Sequence, residues 1–136
     1  MRVVLDTNVL ISGLLNKRGA PGQVLDAWRS GDFELVCCAE LVEEFKRACG
    51  YPKLASYLVP ADVGELVNRL RSAECWLSEL PSLEKSQDPD DDFLLAMAQA
   101  SSADYLVSGD DAGLLAIGHL GRTQIVTAAS FLAVLR

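Results

Sequence analysis

The chain has 136 residues, half of them hydrophobic, with four cysteines, one histidine and a formal net charge of −7. That length supports one compact domain with its own core. The acidic balance excludes a protein that holds nucleic acid by its overall field, and no apolar run approaches the ~18 residues needed to cross a bilayer.

The first element is "RVVLD", a short β-branched apolar run that reads as a buried strand. The apolar stretch is broken by Asp6, Thr7 and Asn8 and lacks a small-residue cleavage pattern. A signal peptide is therefore not expected, and a cytoplasmic location is. A Gly/Pro turn from Gly19 to Gly22 precedes an amphipathic helix, "QVLDAWRS", closed by Gly31. "FELVCC" reads as a second strand, and "AELVEEFKRAC" as a helix that stops at Gly50-Tyr51-Pro52. Asp62 suits the cap of a third helix, "VGELVNRLRSAECW", and "WLSELPSL" an edge strand. The run Asp88-Pro89-Asp90-Asp91-Asp92 opens the next helix, which continues to Ser101. "DYLVSGD" is a further strand, residues 111–117 a short helix, "TQIVTA" a last strand and "ASFLAVLR" a closing helix.

Short strands that alternate with helices, and that are apolar throughout, predict an α/β fold. The expected architecture is a three-layer sandwich around a central, mostly parallel sheet. Residues 1–136 contain no Pro/Gly/Ser-rich linker, repeat or low-complexity block, which predicts a single domain. The cysteines show no CxxC spacing and read as small packed thiols. A single histidine leaves no histidine-rich metal site. Nine of the twelve basic residues lie at or before Arg71, away from the acidic run.

The carboxylates carry the chemistry. Ligands of open α/β sheets gather beyond the C-terminal ends of the strands, and Asp6 and Asp110 both follow apolar strands. Thr7 and Asn8 add a hydroxyl and an amide beside Asp6. Glu40, Glu43 and Glu44 compete to supply a third carboxylate, Glu40 and Glu44 sharing a helical face. In the acidic run, Asp88 suits an N-cap, Pro89 the first helical position, and Asp90 and Asp91 the first turn. Capping leaves Asp92 unexplained. Each acid alone has an ordinary reading as a cap or surface charge. Together, with no rival nucleophile, they point to a hard divalent cation, magnesium or manganese, and to phosphoryl-transfer hydrolysis.

"VVLDTNVLISGLL", "AELVEEFKRACGYPKL" and "DPDDDFLLAMAQASSADYLVSGD" resemble, in this order, the acidic motifs of the PIN-domain family. The nearest resemblance is to its bacterial VapC-like branch, the toxins of toxin-antitoxin systems. The resemblance covers nearly the whole chain and places the four catalytic, metal-holding acids on Asp6, Glu44, Asp92 and Asp110. Thr7 and Asn8 fall on the supporting polar pair, and Asp91 is a further candidate. It implies a magnesium- or manganese-dependent ribonuclease acting on single-stranded RNA, forming a homodimer and inhibited by an antitoxin protein. Two departures stand out: Cys38 replaces the Ser or Thr before the second motif, and "GDDAGLL" replaces the usual "GDKDLL". Either Asp111 takes the place of the outer acid or that acid is absent. Lys17, Arg18, Lys46 and Lys53 flank the first two motifs and are candidates for substrate-backbone contacts.

Two other readings use the same residues. A binding or adaptor domain would keep the pocket without turnover. A magnesium-dependent phosphotransfer domain would need a DxD at the first strand and a late lysine; the last lysine is Lys85.

Overall fold

A computed structural model describes residues 1–81, 92–109 and 113–136. Among them lie six strands: β1 (Arg2–Leu5), β2 (Glu34–Cys38), β3 (Cys75–Leu77), β4 (Tyr105–Val107), β5 (His119–Leu120) and β6 (Thr123–Val126). The helices among them are α1 (Thr7–Leu15), α2 (Ala20–Arg29), α3 (Ala39–Cys49), α4 (Pro52–Ala55), α5 (Pro60–Arg71), α6 (Asp92–Ser101), α7 (Leu114–Ile117) and α8 (Ala128–Leu135).

The strands form one sheet in the order β3-β2-β1-β4-β6-β5, parallel except for β5 against β6. β1 is central, and Val3, Val4 and Leu5 are fully buried, which is why this strand is apolar without alternation. The chain steps outward from β1 to β2 to β3, then crosses back to β4 on the other side of β1. Right-handed crossovers place α1 to α5 on one face of the sheet and α6 on the other. α8 packs against α2 and β4. The reversal of strand order between β1 and β4 opens a crevice at their C-terminal ends, the usual ligand position in such sheets.

Several boundaries differ from the sequence reading. α1 occupies residues that carry no helical stripe, because Thr7, Val9, Leu10, Ile11, Gly13 and Leu14 are all buried. A helix buried around most of its circumference shows no amphipathic period. The Gly/Pro stretch expected as a turn is the first turn of α2, with Pro21 tolerated there because its missing N–H would lack a helical partner. Likewise α5 starts at Pro60, so Asp62 lies in its first turn rather than at the cap. α5 ends at Arg71, and Cys75 to Leu77 leave the helical register to become the sheet edge beside β2. Glu74 fixes this corner, accepting from the Trp28 indole N–H at 2.9 Å and the Leu35 amide at 3.0 Å. His119, expected in a loop, lies on β5 and pairs with Gln124.

Candidate active site

Asp6 stands between β1 and α1 and is tied to both. Its N–H donates to the Val107 carbonyl at 2.9 Å, continuing the β1–β4 pairing by one residue. Its own carbonyl accepts from the amides of Val9 and Leu10, the first turn of α1. With φ −62° and ψ 147° it is the N-cap of that helix, and its Oδ1 accepts from the Asn8 amide at 3.4 Å. The helix N-terminus favours a negative charge at this position. The other oxygen, Oδ2, accepts from the Ser108 hydroxyl at 2.8 Å. Asp6 is only 4% exposed and Ser108 fully buried, so this charge-assisted bond holds one carboxylate rotamer across the crevice.

Thr7 does the same for a second acid. It is buried, and its hydroxyl donates to Glu44 Oε2 at 3.0 Å. Glu44 is half-buried on α3, and Phe45 beside it is wholly in the core. Two consecutive residues therefore set two carboxylates, Asp6 through its own side chain and Glu44 through the Thr7 hydroxyl. Asn8 is exposed.

Asp92 is half-buried as the first residue of α6. The Arg2 guanidinium donates to the Ser101 carbonyl, so the last turn of α6 meets the start of β1. Ten helical residues run ~15 Å, so Asp92 stands at the end of α6 away from that contact. Phe93, its neighbour, lines a groove with Glu44. Asp91, Asp110, Asp111 and the caps expected at residues 88–90 lie outside the described residues.

Two concavities reach the partners of the Asp6–Thr7 pair, Glu44 in one and Ser108 in the other. One is an open groove of about 540 Å³ lined by Glu40, Glu43, Glu44, Arg47, Tyr51 and Phe93, together with Ala39. Glu43 thus faces the same groove as Glu40 and Glu44, which helical spacing alone did not indicate. The other, about 240 Å³, is bordered by Asn8, Ser12, Ser108, Gly109 and Thr127 among others. Ser108, Arg47 and Tyr51 escaped the sequence reading. Arg47 follows Glu40 by seven residues and Glu44 by three, so its face was legible; a lone serine after a strand gave no signal. Of the basic residues singled out earlier, Lys17 pairs with Asp62 at 3.0 Å beyond the far end of α1, and Lys46 lies 4.0 Å from Glu43.

The buried thiols are poor nucleophiles. Burial pushes the Cys37 and Cys38 thiols up to about 12, so both are neutral near pH 7. Burial also raises Cys49. Among the described residues no three of His, Cys, Asp and Glu come together as a metal-holding group. The acids fixed here, Asp6 and Glu44, offer oxygen donors only, a chemistry suited to a hard divalent cation.

An uncharacterized protein of the archaeon Methanocaldococcus jannaschii is 28% identical over 111 residues, covering 81% of this chain and 71% of its own. Among the described residues no helix is long and apolar enough to cross a membrane. Residues 2–112 match the PIN domain family, whose members are generally nucleases that use divalent metals, and the chain belongs to that family.

Proposed function

We propose that this chain, acting as a single domain, is a magnesium- or manganese-dependent endoribonuclease that hydrolyses phosphodiester bonds in single-stranded RNA. We further propose that it is the toxin of a toxin-antitoxin pair, working in the cytoplasm as a homodimer and silenced by a small antitoxin protein. The observation that carries the catalytic reading is the pair of hydroxyl-held carboxylates, Ser108 to Asp6 and Thr7 to Glu44, at the β1–β4 crevice of a PIN-domain chain.

In this reading Asp6, Asp92, Asp110 and Glu44 hold the cation, with Asp91 and Asp111 as further candidates. When bound, the cation lowers the pKa of a coordinated water and neutralises charge on the phosphodiester. The protein's part is to fix the geometry. Ser108 and the Asn8 amide keep the Asp6 carboxylate in one orientation, so little reorganisation accompanies reaction. Thr7 holds Glu44, which orients the attacking water. The water oxygen bonds to phosphorus as the bond to the leaving ribose oxygen breaks; the attacking water gives up a proton to solvent, and the departing oxygen takes one from solvent.

The test is cleavage of varied single-stranded RNAs with magnesium, manganese or chelator. Metal-dependent cleavage is expected, and Asp6→Asn and Asp92→Asn should each lower kcat by roughly 10²-fold or more. RNA binding without cleavage under any metal would replace this reading with that of a binding or adaptor domain. Full activity in Asp92→Asn would remove that residue from the site. The toxin role predicts growth arrest on expression, relieved by co-expressing the product of an adjacent small reading frame.

A further inference from the structure

The groove beside Glu44 has a chemistry of its own. It joins the acidic centre through Glu44, yet two of its walls are aromatic. Tyr51 leaves α3 at the turn into α4, and Phe93 directly follows Asp92. Tyr51 is 52% exposed, while its backbone is locked on both sides. Its N–H donates to the Ala48 carbonyl at 3.2 Å, and its carbonyl accepts from Leu54 and Ala55 at 2.9 Å each. A ring open to water on a backbone held in this way offers a stacking surface.

Charge then selects the occupant. Among the described residues, a phosphate in this groove would face Glu40, Glu43 and Glu44 against Arg47 alone. A neutral planar base is not repelled, and one with N–H donors on its edge is attracted. Glu40 and Glu43 are both exposed and both accept only, when ionised. Guanine presents N1–H and the N2 amino group side by side, matching the two oxygens of a carboxylate. Uracil sets a carbonyl on either side of its single N–H.

We propose that this groove is a nucleobase subsite, adjoining the scissile phosphate, that takes an unpaired guanine of single-stranded RNA. The base stacks on Tyr51 against the Phe93 side, and its edge donates to Glu40 and Glu43. Arg47 is exposed, has no ion-pair partner among the described residues, and contacts the neighbouring phosphate at the groove mouth. Only a base free of its helix can be stacked and read on its Watson–Crick edge in this way. The inference rests on the RNA-cleaving reading for its substrate, but its test does not require turnover.

The test is equilibrium binding of fluorescein-labelled single-stranded RNA nonamers, matched except for one guanosine or uridine, to the Asp6→Asn variant in magnesium. The guanosine RNA should bind more tightly, about 10-fold. Tyr51→Ala should weaken its binding roughly 5- to 150-fold, and Tyr51→Phe should keep it. The double variant Glu40→Gln, Glu43→Gln should bring the guanosine-to-uridine ratio towards one, whereas Arg47→Ala should weaken both RNAs alike. Equal binding of the two RNAs, no binding of either, or an unchanged affinity in a Tyr51→Ala protein with a wild-type melting temperature would overturn the subsite. If wild-type cleavage persists in those cases, the nuclease reading stands without it. If wild type never cleaves but Tyr51-dependent guanosine binding appears, the subsite stands and the nuclease reading falls.

Discussion

Asp6 serves as strand end, helix cap and candidate ligand at once, so its substitutions separate by chemistry. Asparagine keeps one side-chain oxygen for the cap and puts an amino group, a donor, where Ser108 now donates, so the hydroxyl must turn to accept. Alanine removes the cap and leaves the Ser108 hydroxyl without its carboxylate partner. Asp6→Ala should lose roughly 2–4 kcal/mol of stability, measured by urea unfolding, with Asp6→Asn losing clearly less. Ser108→Ala, which spares the acids, should cut activity or metal affinity roughly 10- to 100-fold; an unchanged rate would reduce Ser108 to a packing residue. The buried thiols give a pH signature. Cys37 and Cys38 hold their protons up to about 12 when folded and release them near 8.5 when unfolded. Their contribution is whole below about pH 8.5 and drains away as pH rises towards 12. The urea midpoint should therefore fall on the alkaline side, and fall less steeply in Cys37→Ala.

At the scale of elements, the tight connection from α1 into α2 depends on Gly22. A Cβ there would run into the backbone carbonyl of Lys17, a neighbour that cannot rotate away. Gly64, in the exposed middle of α5, has open space around it. Both lie in helices, where alanine is intrinsically better by ~1 kcal/mol. Calorimetry should find Gly64→Ala stabilised by about that amount and Gly22→Ala destabilised by roughly 1–3 kcal/mol. The same contrast explains what could be read from sequence. β1, β2, α3, β4, β6 and α8 were legible because their apolar patterns match their burial. α1 was not, since "NVLISGLL" shows apolar residues on most sides. The α5–β3 junction was not, because "RSAEC" suits a helix locally and only pairing with β2 makes Cys75 to Leu77 a strand. In the site, Asp6 could be placed by its strand end, whereas helical spacing left Glu40, Glu43 and Glu44 competing and only the family resemblance singled out Glu44. Ser108 could not be placed, because its partner is 102 residues away and only the parallel pairing of β1 with β4 joins them.

Across the whole molecule, that pairing is fastened again at its opposite end. The Arg2 amide donates to Asp104 Oδ2 at 2.9 Å, and the Arg122 guanidinium meets Oδ1, so the starts of β1, β4 and β6 share one carboxylate. The Arg2 N–H, followed by Arg122, holds the Asp104 carboxyl below the usual carboxylate range. A lowered pKa gives stability that is present above about pH 4 and lost as pH falls through the folded value. Asp104→Asn should flatten the acid limb of the stability curve while leaving activity at neutral pH alone. The candidate site and this clamp thus lie at opposite ends of the same two central strands.

The corner at Glu74 has a consequence for observation. Of the two tryptophans in the chain, Trp28 is 6% exposed with its indole N–H bound to Glu74, while Trp76, two residues beyond, is 42% exposed on the outer strand. One emits from the interior and the other from the edge of the sheet. Iodide should quench only the redder component of native fluorescence, and protection of that component by an added macromolecule would report docking along β3. Loss of the bluer component would instead report opening of the core.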